Sequence, residues 1–575
     1  MRFVALATDY DGTLARDGTV PPAAVAALEQ LAGTGRKLIL VTGRELDPLL
    51  EIFPEIDRFD SVVAENGALL YTPASGQRQA LAAPPPPAFV AALRARSVPL
   101  SVGLSIVATV EPYETTVLET IRDFGLELQV IFNKGAVMVL PASVNKATGL
   151  AAALEGLALS ARNVAAIGDA ENDHALLHMA EYSVAVANAV PTLRDSADRV
   201  SAHDHADAVI ELIEHMIEHD LRGSPASRLR RQILLGELDN GEPLHMAPAW
   251  TNLLIAGTSG SGKSTLATGV LERVCEHGYQ FCVVDPEGDY QEFAAGVVFG
   301  NAERAPSVDE VLSALEKPHT NAIVNLVGLP LQERPRFFLD LLPRLQSLRA
   351  KTGRPHWLLV DETHHLMPKD WDPTPLILSR ELNGMIYVTV HPDSMAAPVL
   401  QTADLVAVLG EAPRDTLRAV AVSVGAEPPG LVPDALEPGQ AILWRAAGDQ
   451  PALRFRVAAS RSERRRHRRK YAEGELPPER SFYFRGPQQR LNLRAQNLVL
   501  FLQLADGVDD ETWLHHLRSH DYSRWMSDFI KDPVLGEEVA AIEHDRTLSP
   551  RESRQRVRAA VEGRYTLPAA GEGAG

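Results

Sequence analysis

The sequence predicts two doubly wound α/β domains in tandem, followed by a mainly helical region. Three observations predict this. In the first third, short apolar runs such as FVALATD, KLILVTG and NVAAIGD each end in a polar, glycine-bearing loop. In the middle, NLLIAG, FCVVD and LLVDE repeat that habit, with amphipathic stretches between them. This is the pattern of parallel sheets whose sites lie at the strand C-termini. The last region replaces such runs with Leu and Trp at helical spacing, as in LNLRAQNLVLFLQLADG.

A length of 575 residues accommodates three or four domains of ordinary size. Hydrophobic residues make up 45% and charged residues 23%, enough apolar material for several cores. The formal charge of −19 disfavours a general nucleic-acid binder and leaves a local basic groove open. Cys275 and Cys282 lack any metal-ligand spacing and are expected to be buried thiols in a reducing compartment. MRFVALATD runs straight into a strand, and no apolar run has the length of a membrane span. A cytoplasmic location without a membrane partner is expected.

The expected organisation is a domain at 1–215 with an inserted cap at about 83–144, opened by the rigid break Pro84–Pro87. A linker and small strand pair follow at 216–245, then a second α/β domain at 246–458. A helical region at 459–565 opens with the basic run Arg461–Lys470, and residues 566–575 form a disordered tail.

In the first domain, a strand ends in Asp9 and Asp11 with Gly12 and Thr13. Two carboxylates at i and i+2 in a glycine turn can face one pocket. One can attack phosphorus while the other donates and then accepts a proton. The magnesium such chemistry needs prefers carboxylate oxygens. A second strand ends in Thr42-Gly43-Arg44, whose hydroxyl and backbone N–H groups can hold phosphate oxygens. Lys146, at a helix start in NKATGL, can neutralise phosphate charge, and a third strand delivers Asp169, Asn172 and Asp173. Glu65 and Asn66 are placed either to touch a substrate or simply to form the turn.

DYDGTL, VTGR, the lysine of NKATGL and GDAENDHALL resemble the four motifs of the haloacid-dehalogenase-like phosphatases. AENGALLY and VAVANAVP further resemble the Cof-type branch, which includes sugar-phosphate and phosphoglycolate phosphatases. The resemblance implies Asp9 as nucleophile and Asp11 as general acid/base. It implies phosphate binding by Thr42, Gly43 and Lys146, with Asn172 orienting the phosphate or the metal shell. It implies Mg2+ held by Asp9, Asp11 through its carbonyl, Asp169 and Asp173. The implied substrate is a small phosphorylated metabolite, a sugar or organic-acid phosphate. Ala170 stands where the branch usually has glycine.

In the second domain, NLLIA leads into Gly257-Thr258-Ser259-Gly260-Ser261-Gly262-Lys263-Ser264-Thr265 and a helix. Strand, glycine loop and helix in this order form a P-loop, whose backbone N–H groups cradle phosphates at a helix N-terminus. Lys263 reaches the β- and γ-phosphates of ATP, and Ser264 meets magnesium. A later strand ends in Asp361-Glu362, suited to a water-mediated magnesium contact and to polarising the attacking water. The next strand ends in His391, a γ-phosphate sensor or a structural histidine.

The set resembles the additional-strand P-loop ATPases, of the HerA/FtsK-like branch, on ILLGELDNGEPL, the glycine loop, FCVVDPEGDY, VDETHHL and VTVHPDSM. His391 stands where that branch usually has glutamine. The resemblance implies a homo-oligomeric ring with an arginine supplied in trans, Arg380 or Arg414. A kinase is the rival, with Asp285 or Asp289 as its substrate aspartate.

Two further readings accompany the two-activity one. The first is nucleic-acid end processing by a 3′-phosphatase with a kinase or translocase, motivated by the fusion and the basic run. The second is an ATP-dependent switch or scaffold that regulates the phosphatase. Nucleic acid is the less favoured partner. In the last region, Trp513, His515, His516, His520, Tyr522 and Trp525 are expected to pack instead of binding metal.

Overall fold

The computed structural model describes every residue except 134, 224–230, 259, 370–382, 431, 447–450, 462–475, 477, 531 and 565–575. The basic run beyond Arg461, the residues Ser259 and Arg380, and the C-terminal tail therefore lie outside the described residues. The chain divides into two units, Met1–Ala458 and Ala459–Gly575.

The first unit holds both α/β sheets. The phosphatase-like sheet has eight strands, in the spatial order Arg199–Val200, Tyr182–Ala185, Val164–Gly168, Ala5–Thr8, Lys37–Val41, Ser61–Ala64, Leu69–Thr72 and Gln77–Ala80. The first six run parallel, and the last two turn back antiparallel. Ala5–Thr8 and Val164–Gly168 are buried along their whole length, because helices cover both faces of a doubly wound sheet. Their C-terminal ends deliver Asp9 and Asp169 side by side.

The cap is a four-stranded antiparallel sheet, ordered Ser101–Val102, Val107–Val110, Ala136–Pro141 and Leu128–Asn133, backed by helices Pro87–Ala95 and Glu114–Phe124. Phe89, Leu93, Val107, Val117 and Val139 form its own small core.

The second sheet has eleven strands. Its centre reads Leu405–Leu409, Leu253–Gly257, Met385–Thr389, Trp357–Val360, Phe281–Asp285, Ala322–Asn325 and Val297–Phe299, all parallel. Met385–Thr389 therefore stands between the strand that feeds the glycine loop and the strand that ends at Asp361. That is the additional strand the motifs imply. Antiparallel strands Gln440–Arg445, Leu453–Val457, Ile233–Leu238 and Pro243–Met246 continue the sheet beyond Leu405–Leu409. The pair within 216–245, which the sequence suggests is a linker element, is thus built into this sheet.

The two sheets meet back to back. Arg2 and Phe3, Asn163 and Glu181 stand just before three phosphatase strands, and Tyr279, Gln280 and His356 stand just before two strands of the second sheet. Across this seam the His356 Nε2 and Asn163 Oδ1 are 3.0 Å apart, and Asn163 Nδ2 donates to the carbonyls of Arg2 (2.7 Å) and Gly353 (3.2 Å). The backbone N–H of Gln280 donates to His356 Nδ1 at 2.8 Å, so the ring is neutral with its proton on Nε2. Burial, reinforced by Arg2 and Arg354, holds this imidazole well below its usual range.

Beside it, Glu181 accepts from Arg2 (2.9 Å), Arg162 (3.2 Å) and the Tyr279 hydroxyl (2.7 Å). These partners, Arg2 first, overcome the cost of burial and hold its carboxyl below the usual range. Gly353 belongs to this seam for a steric reason: a Cβ there would lie 2.2 Å from Asn163 Nδ2, and its φ is +68°.

The second unit is a short hairpin, Phe482–Phe484 with Leu493–Ala495, followed by five helices from Leu498 to Arg564. The aromatic and histidine group is packing. Trp513 stacks on Tyr522 at 4.5 Å and donates its Nε1 proton to Ser553. His516 is held between Asp521 (2.8 Å) and the Arg485 N–H (3.0 Å). Among the described residues no helix is long and apolar enough to cross a membrane. Both cysteines are free, but Cys275 is only partly buried, which corrects the expectation for it, while Cys282 is buried.

Candidate active sites

At the C-terminal edge of the phosphatase-like sheet, Lys146 is buried and its Nζ donates to Asp9 Oδ1 and Asp173 Oδ1, both at 2.6 Å. Burial pushes the ammonium down, but Asp173 and Asp9 more than reverse this, so it stays charged. Burial and the neighbouring Asp173 carboxylate hold Asp9 well above the usual carboxylate range, with Lys146 a partial offset. The lysine is delivered by the helix Lys146–Gly156, whose N-terminus is closed by a capping box between Asn145 and Thr148. That helix can approach because its neighbours are glycines: a Cβ on Gly67 would meet the Asn145 carbonyl oxygen at 2.0 Å.

Asp173 Oδ2 accepts the N–H groups of Asp169 (2.9 Å) and Ala170 (3.0 Å), which shapes the loop despite the alanine. Oxygens of Asp9, Asp169 and Asp173 all lie within 4.8 Å of one another. An all-carboxylate donor set of this size fits a small hard cation, which would offset the Asp173 and Asp169 charges that add to burial in raising Asp9.

Asp11 lies outside this buried cluster. It is half-exposed and forms a two-pronged pair with Arg44, at 2.7 Å from Nε and 2.6 Å from the second nitrogen. Arg44 also lies over the Tyr10 ring at 5.4 Å. Thr42 is buried and its hydroxyl accepts the Arg44 N–H at 3.1 Å, while Gly43 faces the cap: a Cβ there would lie 3.4 Å from Met138 Sδ. Asn172 Nδ2 donates to Asn66 Oδ1 at 3.0 Å, while Asn172 Oδ1 and Asn66 Nδ2 are buried without a partner.

Sequence reasoning did not give three residues the parts they play here. Arg44 was legible only as the end of a strand, although it stands two residues beyond Thr42. Glu65 is a cap anchor: its buried carboxylate accepts the N–H groups of Leu104 (2.9 Å), Ser105 (2.8 Å) and Ile106 (3.1 Å). Asn188 supports the loop that follows Asp9 by donating to the Gly12 carbonyl at 2.9 Å.

At the second site, Gly257 must be glycine, since a Cβ would meet the Leu409 carbonyl oxygen at 2.1 Å and its φ is +152°. Thr258 and Gly260 are exposed, Ser261 and Gly262 half-buried, and Lys263 opens the helix Lys263–Glu276, followed by half-buried Ser264 and Thr265. Lys263 Nζ reaches back to the Thr258 carbonyl at 2.8 Å, and burial pushes its ammonium down. Burial, with Asp285 and Glu362 nearby, holds Asp361 well above the usual carboxylate range.

Asp285 accepts three backbone N–H groups, from Gly288, Asp289 and Tyr290, at 2.8 to 3.0 Å. It therefore shapes the DPEGDY turn. Arg414 is engaged within the chain, by Asp434 and the Val432 carbonyl, both at 2.8 Å.

Residues 6–82 and 104–213 match the haloacid dehalogenase-like hydrolase family, and residues 250–344 match the central domain of the HerA helicase. A phosphoglycolate phosphatase of Methanothermobacter thermautotrophicus is 31% identical over 221 residues, covering 37% of this chain and 98% of that one. Another, from Natronomonas pharaonis, is 30% identical over 220 residues, covering 36% and 96%. Among solved structures, a haloacid dehalogenase-like hydrolase of Bacteroides thetaiotaomicron aligns at 18% identity and a TM-score of 0.34, over 37% of this chain and 99% of that one.

The chain belongs to the haloacid dehalogenase-like hydrolases. It is a phosphatase of that family, fused to a HerA-like P-loop ATPase domain.

Proposed function

We propose that the first domain hydrolyses a small phosphomonoester through an aspartyl-phosphate on Asp9, with Mg2+ held by Asp9, Asp169, Asp173 and the Asp11 carbonyl. The observation that carries this reading is the sealed cluster of Asp9, Lys146, Asp169 and Asp173 at the sheet edge. The cation supplies charge neutralisation for the transferring phosphoryl group. An oxygen of Asp9 attacks phosphorus and the P–O ester bond breaks, while Asp11 gives its proton to the departing oxygen. Asp11 then takes a proton from water, which attacks the aspartyl-phosphate, breaks its P–O bond and frees Asp9 and inorganic phosphate. Lys146, Thr42 and the Gly43 N–H hold the phosphoryl oxygens, and Asn172 orients them.

A two-carbon or three-carbon organic-acid phosphate is the preferred substrate class. Relatives of this domain carry the name phosphoglycolate phosphatase, and Met138 of the cap stands directly over the phosphate loop at Gly43. The second domain binds ATP with residues 257–265, with Ser264 and Asp361 at its magnesium, and Glu362 polarises the attacking water.

The test is a magnesium-dependent screen of phosphorylated metabolites, with and without ATP. Release of phosphate from 2-phosphoglycolate or a near analogue is expected. Silence toward every metabolite and toward p-nitrophenyl phosphate would end the phosphatase reading.

A further inference from the structure

We propose that His364 is the residue that positions Glu362 in the ATP site, linking it to Thr389 at the end of the additional strand. This rests on the ATPase reading above and deepens it. His391, the sensor suggested by the sequence, is not the residue that makes this link.

Glu362 is held in an unusual way. Its backbone is left-handed, at φ +40°, a conformation that residues with a side chain rarely adopt. Its Oε2 is buried and has no hydrogen-bond partner among the described residues. Across the turn, His364 Nδ1 stands 3.4 Å from it. That same nitrogen is 3.1 Å from the Thr389 hydroxyl.

Thr389 is buried and ends the strand Met385–Thr389, which lies between the glycine-loop strand and the strand leading to Asp361. The His364 ring is therefore the wedge between the additional strand and the carboxylate. It is braced on both sides, by the His365 ring at 4.1 Å and by the edge of the His391 ring at 5.3 Å. His391 itself reaches Thr389 only through its backbone N–H, at 3.0 Å.

One nitrogen thus faces two oxygens. While Nδ1 is bonded to Thr389, Glu362 Oε2 goes unpaired. Turning the ring toward Oε2, 3.4 Å away, transfers Nδ1 to the carboxylate and fixes where Glu362 points. A displacement of the additional strand end by bound nucleotide moves Thr389 and, through His364, moves Glu362. His364 touches no reacting atom and is a positioning residue. A misplaced water-polarising carboxylate costs about 10²-fold in turnover while leaving substrate binding alone.

The experiment uses the full chain and measures ATP turnover, KM and affinity for a fluorescent ATP analogue. The variants are His364→Ala, His364→Asn, Thr389→Val and His391→Ala. Phosphatase turnover of the same samples reports whether the shared first unit is folded. His364→Ala is expected to lower kcat about 10²-fold with affinity within twofold. His364→Asn, whose amide nitrogen can stand at the Nδ1 position, restores most of kcat. His391→Ala lowers kcat less than threefold, and Thr389→Val falls between.

Equal losses for His364→Ala and His364→Asn would mean that the ring only packs. A His391→Ala loss as large as that of His364→Ala would return the link to His391. Either result overturns the proposal, as does unchanged turnover in His364→Ala. If His364→Ala also loses phosphatase activity, His364→Asn against Thr389→Val decides. A wild-type chain without ATP turnover would instead remove the underlying ATPase reading.

Discussion

The two catalytic edges balance charge in opposite ways. In the phosphatase domain, the lysine is driven between two carboxylates, with both contacts at 2.6 Å. In the ATPase domain, Lys263 bonds a backbone carbonyl, and Asp361 and Glu362 are raised by burial with their own acids close by. The first site carries part of its compensating charge within the chain, on Lys146. The second sets its lysine on a backbone carbonyl, where Glu362 and Asp361 act on it only through space. Preorganised charge favours constant chemistry on small substrates, whereas ligand-supplied charge lets the site respond to what is bound.

Asp9→Asn breaks the comparison most sharply. Loss of the nucleophile is expected to reduce phosphate release from a metabolite ester by more than about 10³-fold, while ATP turnover on the same sample stays unchanged. Lys263→Ala is the mirror experiment. It should reduce ATP turnover by about 10²-fold or more, with phosphatase turnover intact. Should either variant lose both activities while still melting cooperatively, the two edges would not be independent sites.

The seam gives a pH prediction with a definite sign. His356 is folded with its imidazole well below the ordinary value of 6.5, so below pH 6.5 the unfolded chain binds a proton the folded one refuses. The stability it contributes is present above that value and drains as pH falls, at up to about 1.4 kcal/mol per pH unit. Glu181, also lowered, adds a second loss as pH drops below its ordinary 4.5. Denaturant unfolding of wild type and His356→Gln across pH 7 to 5 checks the first part, because the variant should lose the slope. Equal slopes would remove His356 as its source.

The smallest effect concerns the cap. Glu65→Gln weakens three charge-assisted hydrogen bonds to Leu104, Ser105 and Ile106, at a cost of about 1–2 kcal/mol. Amide exchange at those three positions should quicken roughly tenfold, with a modest rise in KM and little change in kcat. Unchanged exchange would mean that the cap is held elsewhere.

The strands of both sheets were legible because an apolar run ending in a polar loop is a local signal, as at Ala5–Thr8 before Asp9 and at Leu253–Gly257 before the glycine loop. The residues around the buried cluster were legible for the same reason, each standing at the end of its own strand or the start of its own helix. What escaped were pairings across sequence distance. Arg44 meets Asp11 from another strand, Glu65 reaches into the cap, and Asn163 meets His356 from a different domain. Such contacts leave no period and no motif in one sequence. The hairpin at Phe482–Ala495 escaped too, since three-residue strands carry too little alternation to read.

The back-to-back seam has a consequence for what the fusion permits. In both sheets the parallel strands start at the seam edge and run away from it, each rising roughly 15 Å over four or five residues toward its candidate site. Here that edge holds Asn163 and Glu181 dry. A phosphatase severed from its neighbour would inherit a surface adapted to an interior, and the dependence of each half on the other is written in solubility before it is written in catalysis.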